Sequence, residues 1–258
     1  MSETLKVTYI QTELTWENPK ANKAHFEKKL SECPEDADLI ILPEMFTTGF
    51  SMNAEANAEK AEVVLDWMTQ QSKTFQVALT GSAMVKVEGK YYNRMFFVTP
   101  DGSYSKYDKK HLFTLAKEHE TYEPGNERCV VDYKGWKLCL QVCYDLRFPV
   151  WARNKDDYDA LIYVANWPKK RVAAWDILLQ ARAVENMSYC IGLNIVGIDG
   201  NDFPYVGHSG AYDVLGNSMS QHNPEKEAIE TVVLEKSHIK ELREKLGFLR
   251  DRDDFSIS

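Results

Sequence analysis

Three short stretches carry side chains that could do covalent chemistry together. In Trp136-Lys-Leu-Cys-Leu-Gln-Val-Cys-Tyr-Asp-Leu-Arg-Phe-Pro149 an apolar run leads straight into Cys143 and then into a polar turn holding Arg147. A thiol just past the C-terminal end of a buried strand stands where α/β sheets present reactive groups, and a nearby base or cation can activate it. Leu42-Pro43-Glu44 puts a carboxyl at the end of a second apolar run, and Tyr107-Asp108-Lys109-Lys110-His111-Leu112-Phe113 supplies cations and an imidazole. A nucleophile, a base and a cation able to hold an oxyanion are the parts of thiol-based acyl transfer.

On residue types alone each has a plainer reading. Free cysteines commonly pack in cores. An acid ending a strand is commonly solvated. Neighbours in an extended segment point to opposite sides, so at most one of Lys109 and Lys110 faces a site. His111 invites comparison with Cys–His enzymes. Cys139 lies four residues before Cys143, on the same face of one strand, yet roughly 13 Å away. That is too far to share a zinc, whose bonds to sulfur are about 2.3 Å, and no metal site is expected. Cys129, Cys139 and Cys190 are assigned to the core. A sharp nucleophile elbow needs small flanking residues, and Val142 and Tyr144 argue against glutamine amidotransferase chemistry on that ground.

Here the sequence resembles the nitrilase (carbon–nitrogen hydrolase) superfamily. The resemblance rests on Leu-Pro-Glu at 42–44, Lys-x-His-Leu at 109–112 and Cys-Tyr-Asp-x-Arg-Phe at 143–148. It continues through Ala-Asn-Trp-Pro at 165–168, Ala-Arg-Ala-x-Glu-Asn at 181–186 and Gly-His-Ser at 207–209, all in the family's order. Glu44-Met-Phe-Thr-Thr-Gly-Phe50 and Glu118-His119-x-x-Tyr122 are similar to the omega-amidase branch. The resemblance implies an α/β fold, a four-layer α-β-β-α sandwich, commonly paired as a homodimer, with a Glu-Lys-Cys triad and no metal or cofactor.

Carried over residue by residue, it makes Glu44 the general base, Cys143 the nucleophile and Lys109, rather than Lys110, the cation favouring the thiolate and oxyanion. Glu118 matches a second acid that orients Lys109 and shares a proton network with the base. The backbone N–H of Tyr144 is the expected second oxyanion donor, and His111 becomes a residue that bonds loop backbone. The implied substrate is the terminal amide of a small 2-oxo acid, such as 2-oxoglutaramate, cut to the acid and ammonia through a Cys thioester. Another small amide, a carbamoyl compound or a nitrile is the alternative. A substrate carboxylate needs a cationic partner. Arg147, Lys170 and Arg171 are the candidates, with pairing to Asp145 the other role open to Arg147. Phe46, Phe50, Tyr122, Trp167 and His119 are candidate walls.

These residues need a scaffold, and the pattern predicts one. Strands are expected at 5–11, 37–44, 76–87, 91–99, 103–107, 129–133, 136–142, 160–165 and 188–198, with two more before a helix at 236–246. Helices are expected at 19–33, 58–73 and 172–186, the last with Ala173, Ile177, Ala181 and Val184 at helical spacing. Residues 109–128 read as loop. The whole chain, 1–258, is expected to form one domain, with 241–258 as a docking tail. With 31 basic against 39 acidic residues the net charge is −8, which argues against nucleic acid and anionic membrane as partners. Five cysteines without a Cys-x-x-Cys pair, and no signal-like start, suggest a reducing, cytoplasmic setting.

Overall fold

The computed structural model describes residues 2–256. In chain order the elements are β1 (Thr4–Gln11), α1 (Pro19–Ser31), β2 (Leu39–Ile41), α2 (Ala54–Asn57), β3 (Glu59–Lys60), α3 (Ala61–Phe75), β4 (Ala78–Val87), β5 (Lys90–Val98) and β6 (Tyr104–Asp108). There follow β7 (Cys129–Tyr133), β8 (Trp136–Val142), α4 (Pro149–Ala152), β9 (Ala160–Val164), α5 (Val172–Asn186) and β10 (Tyr189–Leu193). Last come β11 (Val196–Ile198), β12 (Pro204–Val206), β13 (Gly210–Tyr212), β14 (Ala228–Glu235) and α6 (Lys236–Leu246).

Two sheets stack face to face. One has the order β14-β1-β2-β4-β5-β6 with β3 beside β4, the other β13-β10-β9-β8-β7. Side chains alternate across the first sheet, as the period of two requires. Leu5, Val7 and Tyr9 of β1 join Leu138, Leu140 and Val142 of β8 in one apolar cluster. Ile10 turns the other way, into a cluster with Phe26 and Leu30 of α1 and Val64 and Met68 of α3. On the far side of the second sheet, Trp175 and Leu179 of α5 complete the fourth layer. The expected α-β-β-α sandwich is the fold observed.

The topology gathers strand ends at one rim. β1, β2 and β4 are parallel, as are β8, β9 and β10. Two antiparallel steps, β4 to β5 and β5 to β6, return β6 to the direction of β2. Glu44 follows β2, Lys109 follows β6, Cys143 follows β8 and Asn166 follows β9. All four therefore stand past C-terminal strand ends, where open α/β sheets bind ligands.

Three expectations are corrected. The face Ala173, Ile177 and Val184 of α5 is the solvent side, with Ile177 66% and Val184 47% exposed; its inner face is Trp175, Leu179, Arg182, Ala183 and Asn186. The strand expected over 188–198 breaks into β10 and β11 at Asn194, whose side chain bonds other loops instead of a ladder. The stretch 109–128 contains two short 3-10 turns, Thr114–Ala116 and Glu118–Glu120. Near the C-terminus Arg252 donates to Asn154 O at 3.1 Å and meets Asp157 at 2.8 Å, and Lys155 lies over the Phe255 ring. Among the described residues no helix is long and apolar enough to cross a membrane.

Candidate active site

β8 ends at Val142, and Cys143 opens a 3-10 turn in the left-handed region at φ 45°. A non-glycine residue there is uncommon and costs about 1–3 kcal/mol unless its surroundings impose it. They do here. Asp145, buried, accepts from the Val142 N–H at 3.0 Å, the Tyr107 hydroxyl at 2.8 Å and both the backbone N–H and Nδ1 of His111, at 3.0 and 2.8 Å. Arg182 donates to Leu146 O at 2.6 Å from below. So a sharp elbow forms at Cys143 with Val142 and Tyr144 beside it, and small flanking residues are not required. The strand also ends before Cys143, so its side chain does not share a strand face with Cys139. His111 is held by a carboxylate and stacks on Phe148 at 3.7 Å; its bond is to a side chain, not to loop backbone.

Glu44, Lys109 and Glu118 are all 0% exposed, and Cys143 is 8% exposed. Lys109 Nζ lies 2.9 Å from Glu44 Oε1 and 3.0 and 2.9 Å from the two oxygens of Glu118. Gly125 helps to set the lysine: its N–H donates to Lys109 O at 2.9 Å, and a Cβ there would stand 2.1 Å from Asp108 O. Glu118 accepts from the Phe113 N–H at 2.6 Å. Glu44 accepts from the Asn166 N–H at Oε2, 2.7 Å, while Asn166 Nδ2 donates to Glu44 O at 2.6 Å. Asn93, which drew no notice in the sequence, donates to Glu44 Oε1 at 2.8 Å and to Glu118 Oε1 at 3.3 Å.

Burial would push the Lys109 ammonium down, but the carboxylates of Glu118 and Glu44 outweigh it and hold its pKa above the ordinary value. Burial also raises Glu118, against the pull of Lys109. Burial, reinforced by Glu44, holds the Cys143 thiol well above its usual range, although Lys109 works in the opposite direction. Two carboxylates to one ammonium explain the sign: a thiolate would add a further negative charge in a low dielectric. Lys109 thus favours the thiolate, as expected, but burial and the carboxylates outweigh it.

Cys143 lines a cavity of about 560 Å³. Tyr144, Arg147, Trp167, Lys170 and Arg171 form one wall and Phe50, Ser51 and Met52 another. Phe113, Leu115, Phe203 and Tyr205 complete it. Of the expected walls, Phe50 and Trp167 face the cavity. Phe46 does not: it is fully buried beneath the sheet, edge-on to Phe26 and beside Trp67. Tyr122 is buried outside the cavity with its hydroxyl on Ser51 O at 2.5 Å. His119 is exposed, because Glu118 takes the inward position of their 3-10 turn. Arg147 lies over the Trp167 ring at 5.0 Å rather than paired with Asp145. Arg171 lies over the Phe113 ring at 4.8 Å.

A family model described as carbon-nitrogen hydrolase matches residues 6–244. An omega-amidase YafV of Yersinia enterocolitica is 44% identical over 254 residues, covering 98% of this chain and 99% of that protein. A 2-oxoglutaramate amidase of Bacillus subtilis is 30% identical over 95% of this chain and 96% of its own. A solved CN-hydrolase superfamily protein from Xanthomonas campestris, carrying an arsenic adduct in its active site, superposes with a TM-score of 0.96 at 37% identity, covering 100% of both chains. The match thus runs from the first strand almost to the end of α6, and this chain belongs to the carbon–nitrogen hydrolase family.

Proposed function

We propose that this protein is a thiol amidase that hydrolyses the terminal amide of small 2-oxo acid amides to the acid and ammonia. The observation that carries the reading is the buried contact of Glu44, Lys109 and Glu118 beside a thiol that opens on a cavity. The relatives named omega-amidase and 2-oxoglutaramate amidase support the substrate class.

Glu44 takes the thiol proton as sulfur attacks the amide carbon. Its Oε1 already accepts from Asn93 and Lys109, and its Oε2 from the Asn166 N–H with a marginal 3.5 Å contact from Asn166 Nδ2. A free lone pair on Oε2 is the one left for that proton. Lys109 holds the new oxyanion by releasing one of its two contacts with Glu118. The Tyr144 N–H is the second donor; it sits in the first turn of a 3-10 helix and has no partner within that helix. Glu44 returns the proton to the nitrogen, the C–N bond breaks and ammonia leaves. Water then gives a proton to Glu44 and attacks the thioester; the acid departs as sulfur recovers its proton.

The carboxylate at the far end of the substrate meets Arg171, which lines the same cavity as Cys143. Arg147 and Lys170 flank it on the same wall. The apolar rim of Leu115, Met52 and Phe203 favours, as a second reading, a bulkier acyl chain such as a methylthio-bearing 2-oxo amide. We further propose a homodimer, supported by the exposed apolar side chains Ile177, Val184 and Leu215. The Leu215–Gly216 turn packs on α5, where a Cβ on Gly216 would stand 2.8 Å from Val184. The five free cysteines suit a reducing cytoplasm.

The test is ammonia release from 2-oxoglutaramate by wild type and Cys143→Ser. Turnover by wild type and its loss in the variant is expected. Equal rates would remove the thiol from the chemistry.

A further inference from the structure

Asn93 sits in β5 opposite Met84 of β4 and is 1% exposed. Its side-chain amide faces two carboxylates, Glu44 and Glu118, each through an Nδ2–H. The orientation of the amide follows from counting hydrogens. Ser82 Oγ accepts the Met45 N–H at 3.0 Å, and its hydroxyl hydrogen lies toward Asn93 Oδ1 at 2.8 Å. The Asn93 oxygen is thereby satisfied, and both N–H donors are free for the acids. A flipped amide would aim its oxygen at both carboxylates and leave Ser82 without an acceptor. The backbone adds a third tie, because Asn93 O accepts the Lys109 N–H at 3.0 Å.

We infer that Asn93 is a positioning residue of the reaction: it bridges the Glu44 base to Glu118, holds both carboxyl groups in place around Lys109, and is locked in that role by Ser82. This rests on Glu44 being the base proposed above. Lys109 alone leaves the pair with one uncompensated negative charge, and like charges at such range disfavour joint ionisation. The two N–H donors of Asn93 spread over that charge and fix the two carboxyl groups relative to one another. Asn93 does not line the cavity and its side chain bonds Ser82, Glu44 and Glu118, so it acts through Glu44.

The experiment measures the pH profile of ammonia release for wild type, Asn93→Ala and Ser82→Ala, with thermal midpoints as a folding control. Losing a donor to Glu44 favours its protonated form, so the acidic limb of kcat/KM should move to higher pH. A charge-assisted bond sets the size of the shift at about one to two pH units for Asn93→Ala, with kcat lowered about tenfold or more and KM nearly unchanged. Ser82→Ala should shift the limb the same way by less. The rate at which iodoacetamide alkylates Cys143 against pH reads the same base without turnover. It carries the test even if no amide is turned over, an outcome that would sink the proposed activity alone. A wild-type limb in Asn93→Ala, by turnover or by alkylation, overturns the inference. So does a variant whose whole deficit is a lowered thermal midpoint.

Discussion

Arg171 is half-buried on the cavity wall, stacked on Phe113, and offers a fork suited to a carboxylate. Arg171→Ala should therefore raise KM for a 2-oxo acid amide about tenfold or more while changing kcat little. Steady-state ammonia release checks this, and an amide lacking the carboxylate should be indifferent to the substitution. An unchanged KM would move the clamp to Arg147 or Lys170. At this scale much was legible. Glu44, Lys109 and Cys143 each stand at the end of a recognisable strand, inside a motif of fixed wording. Phe46 and Tyr122 were misplaced because the side of the sheet on which a loop residue lands depends on tertiary packing. Asn93 was unreadable, since a polar residue within a strand looks like any other until its two acids arrive from positions 44 and 118.

At the scale of elements, α5 has the expected ends, and its regularly spaced Ala173, Ile177 and Val184 lie on the outer face. Its apolar residues fit helical spacing along two stripes, and the inner one carries Arg182 and Asn186, whose polar character hides it. Both are buried because both are bonded, Arg182 to Leu146 O and Asn186 to Arg182 O and the Asn154 N–H. Leu179 presses on Gly192 of β10, where a Cβ would come within 2.4 Å of it. Leu179→Ala should cost about 2–5 kcal/mol in urea unfolding, and Ile177→Ala less than about 0.5 kcal/mol. Equal losses would show Ile177 packed as deeply as Leu179. The strands were easier: hairpins at Glu88-Gly89 and Lys134-Gly135 mark their own turns, and all four of those residues have positive φ.

For the whole molecule, the outer stripe of α5 leaves Ile177 and Val184 exposed, with the Leu215–Gly216 turn beside Val184. Val184→Asp should give a monomer by sedimentation at micromolar concentration, where wild type sediments as a dimer; one mass for both would refute the pairing proposed for this face. The layering has a further consequence. Glu44 and Lys109 are anchored to one sheet and Cys143 to the other, so the offset between carboxylate and sulfur is set across the interleaf, by the apolar filling between Leu5, Val7 and Tyr9 and the side chains of β8 and by the bonds of Asn166 to Glu44 and of Tyr107 to Asp145. With Cys143 and Glu44 in the roles proposed above, turnover is a vernier on that interleaf: a slip of the two leaves too small to register in spectroscopic content would separate sulfur from carboxylate and silence the enzyme while it still looks native.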